Sequence, residues 1–474
     1  MTYQWNNIKK EPPKWFKDAK FGIFFHWGPY CVPAFENEWY SRNMYGSGLS
    51  QNIHHIKTYG ELANFGYKDF YPMFTGEKFD PKEWADLVIK SGAKYAGPVS
   101  EHADNFSMWN SKINPTNSVN YGPKRDIVNE CFREFRKKGI KTLATFHHQW
   151  LWGWFMSSNN EADVYDPKNE IYYGKALPLE TNRYKPYRFP DNEFNITWRD
   201  KVIEVIDKYS PDALYFDSRT FIIDEKYRYE LVDYYYKNNK NEDCIITYKQ
   251  EDFPIDIGVY DIECGRFSKA KEFYWQTDDR IEDNITWSIV QNPKYKSSTK
   301  IIHHLCDVVS KNGNLLLNVG PNADGSFQKE AKANLFEVGN WLKICGEAIY
   351  GTRPFSIAAE GPNTVKDANY NVEHIKNQLT DGVATDINLM EFSHEDIRFT
   401  TRDEFIYAIA LGWPKDKTLI IKSLSLKCPL KEITKVELLG TDLNIPFIQD
   451  RYGLHLSLPT DKPYDHAYGF KIFS

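Results

Sequence analysis

Among the residues able to do bond-breaking chemistry, Asp217 stands out by position: it follows directly on the apolar run ALYF at residues 213–216 and is itself followed by Ser218 and Arg219. A carboxylate at a strand tip, beside a hydroxyl and a guanidinium, can be held ionised by hydrogen bonds and positive charge. It then suits nucleophilic attack on an acetal carbon; the alternative is an Asp that caps the next loop. Cleaving a glycosidic bond needs a second carboxyl group to protonate the departing oxygen, and enzymes that retain configuration hold the pair about 5–5.5 Å apart. Glu263, in VYDIECGRF at residues 259–267, is expected there unless it is spent in a salt bridge with Arg266; Glu251 and Asp278 are the reserves. His26, Glu38, Trp39, His102 and His148 suit recognition of a sugar, since imidazole and carboxylate bind hydroxyls and indole covers the apolar face of the ring. His147 and His148 are adjacent, but no third ligand at zinc-like spacing accompanies them, so neither metal nor cofactor is expected.

These residues need a scaffold that gathers them. From about residue 20 to residue 350 short apolar runs alternate with amphipathic helices. Strands are predicted at residues 21–25, 94–99, 141–146, 213–216, 244–248, 259–262 and 315–319, and helices at 80–92, 126–138, 198–209, 227–238, 298–311 and 330–345. Such alternation implies a parallel sheet, and its repetition implies closure into a barrel. The strands run into His26, Glu101 and His102, His147 and His148, Asp217, Lys249 and Glu263 in turn, while the last contains Asn318. In a (β/α)8 barrel the C-terminal strand ends converge on one mouth, where catalysis takes place. After residue 352 the runs become short and β-rich, at 405–413, 419–424, 436–439, 454–458 and 470–473. The expected fold is therefore α/β: a (β/α)8-like barrel over residues 1–352, followed by a C-terminal antiparallel β-sandwich over 353–474. The polar stretch 367–386 is assigned to neither pattern.

Composition narrows the partners. Of 474 residues 41% are hydrophobic and 26% charged, so a packed core is available, and a net charge of −6 favours neither nucleic acid nor an anionic membrane. Seven cysteines without a CxxC pair suggest reduced thiols rather than a disulfide framework. With no apolar leader at the N-terminus a cytoplasmic location is expected for the chain as given, and a periplasmic or secreted one for a trimmed mature form. The 14 Trp, 31 Tyr and 30 Phe fit a carbohydrate site as well as a core. An oligomer is compatible with the sequence.

Several segments together resemble family 29 of the glycoside hydrolases, the retaining α-L-fucosidases. They are KFGIFFHWGPYCVPAFENEWY (20–40), GPVSEHADNFSMWNSK (97–112), TFHHQWLWGW (145–154), PDALYFDSR (211–219), YWQTDD (274–279) and SKNGNLLLNVGPNADGSF (310–327). The resemblance implies a catalytic barrel with a β-sandwich behind it, a fucosylated oligosaccharide or glycoconjugate as substrate, Asp217 as nucleophile, and fucose contacts from His26, Glu38, Trp39 and His102. Tyr215, standing where the family usually has Trp, and Trp275 are expected to join them. Three departures stand out. Glu101 and Ala103 flank His102 in place of the usual Lys and His, Gln276 occupies a position where many members carry the acid/base, and Cys264 interrupts an E-R-G pattern. They keep two alternatives open: an α-L-galactosidase on the same barrel, and a non-catalytic fucose-binding module.

Overall fold

Strands covered by helices on one side and closed around a filled interior on the other must be apolar on both faces. Phe21–Phe25 (β1) meets that requirement and is buried along its whole length. Phe21, Ile23 and Phe25 turn to the surrounding helices, while Phe24 joins Leu143, Ala213, Ile245, Val259 and Leu316 in a separate interior cluster. The computed structural model describes residues 3–177, 179, 188–249, 252–254, 256–363, 391–427 and 432–474. In it, eight parallel strands close in sequential order: β1, β2 (Tyr95–Glu101), β3 (Lys141–Phe146), β4 (Ala213–Phe216), β5 (Ile245–Lys249), β6 (Val259–Glu263), β7 (Trp275–Arg280) and β8 (Gly313–Asn318).

Helices follow six of these strands: Pro81–Ser91, Ile127–Lys137, Asn192–Tyr209, Glu225–Asn238, Ser298–Ser310 and Lys329–Cys345. The first begins and ends on local signals, Asp80 accepting the Lys82 N–H and Gly92 adopting φ +87°. The third starts at Asn192, earlier than residue 198, because Asp191 caps it by accepting the Phe194 N–H. Among the described residues no helix separates β5 from β6 or β6 from β7, so the barrel is (β/α)8-like. Strand β7 has no apolar run to announce it: its sequence is WQTDDR, and its inward side chains are polar.

The C-terminal part forms two antiparallel sheets. The larger contains β9 (Arg353–Glu360), β10 (Ile397–Arg402), β11 (Phe405–Ala410), β13 (Lys435–Leu438) and β16 (Tyr468–Phe473). The smaller contains β12 (Thr418–Ile421), β14 (Phe447–Gln449) and β15 (Leu454–Ser457). Their strand orders are β13-β16-β11-β10-β9 and β12-β15-β14. Both contribute to one core that includes Phe399, Leu419, Ile421, Leu456 and Phe470, which makes the pair a sandwich. Residues 367–386 lie outside the described residues. No helix among the described residues is long and apolar enough to cross a membrane.

Candidate active site

Alternation along the strands builds the site in layers. On β4 Ala213 and Tyr215 face the interior, so Asp217, two residues further, reaches the mouth on the same side. The same count carries Ile245, Thr247 and Lys249 on β5, Val259, Asp261 and Glu263 on β6, and Gln276, Asp278 and Arg280 on β7. The floor is apolar, the middle layer is polar and buried, and charge gathers at the top.

Asp217 is held from two sides. Its Oδ2 accepts the indole N–H of Trp150 at 2.9 Å, and its Oδ1 lies 3.3 Å from the Lys249 ammonium. It does not cap the following turn; Asp252 does, accepting the Thr220 N–H at 2.6 Å. Arg219 braces the Trp150 loop, donating to the Trp152 carbonyl at 3.0 Å and lying over the Trp150 ring, so the cation at Asp217 is Lys249. The same ammonium sits 2.9 Å from Glu263 Oε2 and 2.9 Å from Asp278 Oδ2. Glu263 is thus paired with Lys249 and not spent on Arg266, which turns toward Asp307 at 3.8 Å. Burial alone would push the Lys249 ammonium down, but Asp278 and Glu263 outweigh it and hold the group well above its ordinary value.

Beside this cluster, three histidines from three strand ends bring ring nitrogens within 4.8 Å of one another: His26, His102 and His147. Burial pushes His26 down to about 4 and the other two well below their ordinary range, so all three are neutral near pH 7. Asn318 Oδ1 accepts both the His26 N–H and Nδ1–H (2.7 Å to the latter), which leaves Nε2 as an acceptor. Neutral imidazoles suit a borderline cation as well as hydroxyls; the nearby sequence shows no third metal ligand, and the fold supplies His26 and His102 from distant strands. The company they keep is that of a sugar site. Glu38 accepts the Trp287 N–H at 2.8 Å, and burial, opposed by that bond, pushes its carboxyl up to about 7, where it can donate as well as accept. Trp39 packs edge-on to Trp150, and the Trp287 ring lies 5.5 Å from His26.

Three expected contacts fall elsewhere. His148 faces outward: the inward set of β3 runs through Leu143 to His147, so His148 turns away, stacks on Trp198 and bonds the Trp198 carbonyl at 3.0 Å. Trp275 opens β7 at the end opposite the mouth, with its N–H on the Lys311 carbonyl at 2.8 Å. Tyr215 is completely enclosed one layer below Asp217 and gives its hydroxyl to Asp278 at 3.0 Å, so it lies in the floor of the site rather than on its wall. Of the reserve acids, Asp278 is buried beneath Lys249 and Glu251 lies outside the described residues. Lys249, His147, Trp150 and Trp287 belong to the site although no motif singles them out; counting strand parity forward from Ile245 and from Leu143 finds the first two.

The departures from the family pattern acquire local reasons. Glu101 makes a buried ion pair with Lys201 at 2.7 Å, fixing the strand end that carries His102. Gln276 lies deep in the barrel, taking the Tyr95 hydroxyl and donating to Asp261, each at 2.7 Å. Cys264 adopts φ +47° and receives Arg280 at 3.3 Å, so a guanidinium from β7 stands near the place of the missing Arg.

Comparison with known proteins agrees with this barrel and the β-domain behind it. The α-L-fucosidase family model matches residues 1–347, and that of the α-L-fucosidase C-terminal domain matches 390–473. The chain belongs to the α-L-fucosidases, family 29 of the glycoside hydrolases. Tissue α-L-fucosidase of Rattus norvegicus is 28% identical, the alignment covering 98% of this chain and 89% of the relative. The α-L-fucosidase of Dictyostelium discoideum is 27% identical, covering 99% and 94%. The crystal structure of Thermotoga maritima α-fucosidase in complex with fucose superposes with a TM-score of 0.72 at 27% identity, covering 98% of this chain and 97% of that one.

Proposed function

We propose that the protein is an exo-acting α-L-fucosidase that removes terminal α-L-fucosyl residues from glycans or glycosides with retention of configuration. Asp217 attacks the anomeric carbon to form a fucosyl-enzyme; Glu263 protonates the departing oxygen and then activates water. One observation carries this reading: both carboxylates meet the same ammonium, at 3.3 and 2.9 Å. The two oxygens on that ammonium can be no farther apart than those contacts laid end to end, which is compatible with the spacing of about 5–5.5 Å that retaining enzymes keep between the pair. Exposure supports the division of roles. The Asp217 side chain is 15% exposed, at the wall of the pocket, whereas that of Glu263 is 50% exposed and can serve both a leaving group and incoming water.

His26, Glu38, Trp39 and His102, joined by His147 and Trp287, form the wall proposed to hold the sugar. The interior below is filled by Tyr215 and its neighbours, so the sugar is confined to the mouth. Gln276 and Cys264 leave the carboxylate pair intact, which favours hydrolysis over bare binding. Glu263→Ala is expected to lower turnover of an aryl α-L-fucoside by about 10²–10⁴-fold. Azide, attacking the fucosyl-enzyme from the face that water would use, should restore it and yield an α-L-fucosyl azide, detected by NMR. Unchanged turnover with no azide product would remove Glu263 from the acid/base role.

A further inference from the structure

Lys249 ends β5 beneath the mouth, with its side chain only 5% exposed. An ammonium has three N–H bonds on one nitrogen, and here three carboxylates surround it: Asp217 Oδ1 from β4 at 3.3 Å, Glu263 Oε2 from β6 at 2.9 Å, and Asp278 Oδ2 from β7 at 2.9 Å. The rings of Trp287 and Tyr215 lie 5.5 and 5.8 Å away. The other titratable groups facing it are Asp261 on β6 and the neutral imidazoles of His26 and His147, from the ends of β1 and β3; Arg280 of β7 stands beyond Glu263.

We propose that Lys249 is a catalytic residue, the fixed cation against which Asp217 and Glu263 exchange one negative charge in each half-reaction. The proposal rests on the fucosidase reading above. In the first half-reaction a bond forms between an Asp217 oxygen and C1 while the bond from C1 to the aglycone oxygen breaks, and the Glu263 proton passes to that oxygen. Asp217 becomes an uncharged ester and Glu263 an anion. In the second, a water oxygen bonds to C1, its proton goes to Glu263, and the ester bond breaks to return the Asp217 carboxylate. The charge crosses from one carboxylate to the other and back. A cation in contact with both ends faces the same number of anions before and after each crossing, and it needs no rearrangement to do so.

Asp278 completes the device from below. It anchors the ammonium at 2.9 Å, and the Tyr215 hydroxyl donates to the same oxygen at 3.0 Å. Burial pushes Asp261 well above the ordinary carboxylate range, aided by the neighbouring Asp278, so this floor carries one negative charge and not two. Lysine suits the place because its donors diverge from a single nitrogen, whereas a guanidinium directs its donors within one plane.

The test is the pH profile of kcat and kcat/KM on an aryl α-L-fucoside for wild type, Lys249→Met and Lys249→Arg. A cation favours the ionised form of a neighbouring carboxylate, so its removal is expected to move both limbs of the activity profile to higher pH. In Lys249→Met kcat at the wild-type optimum is expected to fall about 100-fold with KM changed less than about 3-fold, the pattern of an interaction made in the transition state. Lys249→Arg, which keeps the charge but not the divergent donors, should bring both limbs back toward their wild-type positions. If Lys249→Met does not fold, Lys249→Gln, which keeps N–H donors and drops the charge, carries the same comparison. Limbs that stay in place in the folded neutral variant overturn the proposal. Wild-type protein that releases no fucose overturns the fucosidase reading and this inference with it, whereas active wild type with unmoved limbs in the variant overturns this inference alone.

Discussion

At the scale of residues, burial decides what each titratable group does. His148 stacks on Trp198 with burial pushing it from 6.5 down to about 4. Between those values the unfolded chain binds a proton at this position that the folded chain does not, so stability rises with pH through the window. The contribution is complete above about 6.5 and is lost on acidification toward 4, at about 1.4 kcal/mol per unit. His148→Gln removes it. The urea midpoint of wild type is therefore expected to fall more steeply than that of His148→Gln between pH 7 and pH 4.5; parallel curves would contradict the assignment. The same residue shows where sequence reasoning stops. Asp217 is legible because an apolar strand ends on it, and Glu263 because it closes another. The choice between His147 and His148 depends on the parity of one strand, which a motif does not state. Lys249 is visible in the sequence as a strand-end residue, but its meaning requires knowing that β4, β6 and β7 all bring carboxylates to it.

At the scale of elements, the close approach of β2 to β3 depends on Gly97. A Cβ there would stand 1.6 Å from the Leu143 carbonyl oxygen, and the obstacle is backbone, which cannot swing aside. Gly97→Ala is expected to destabilise by about 1–3 kcal/mol or more and to lower activity, because β2 and β3 carry His102 and His147. A thermal scan with a rate measurement checks this; an unchanged Tm would show that the strands have slack. Most barrel strands are legible because both faces are apolar, as in FGIFF or ALYF. Strand β7 is not, because Gln276, Asp278 and Arg280 face the polar middle and top of the barrel, and that demand erases the hydrophobic signal. In the sandwich β14 is short and edge-lying with Ile448 exposed, so its pattern is too slight to read.

At the scale of the whole molecule, Tyr407, Ile409 and Leu411 of the sandwich pack into the barrel's core cluster, and a buried carboxylate adds a polar tie between the two. Asp307, on the helix that follows β7, accepts Arg398 of β10 at 2.7 Å and Lys311 at 2.7 Å, and Arg266 of the β6–β7 connection approaches it at 3.8 Å. Burial alone would raise the Asp307 carboxyl, but these cations hold it well below the ordinary range. The C-terminal part therefore braces the helix and the connection on the side of the barrel where Glu263 stands, which gives a physical reason for the two units to occur together. Retention of configuration turns on Asp217 forming a bond to the sugar. Incubation with an activated L-fucosyl fluoride bearing fluorine at C2 slows breakdown of the intermediate, and peptide mass mapping then locates the added fluorofucosyl group. The label is expected on the peptide containing Asp217 and is expected to be absent in Asp217→Ala; a label on any other residue, or full turnover by Asp217→Ala, would remove Asp217 from the nucleophile's role.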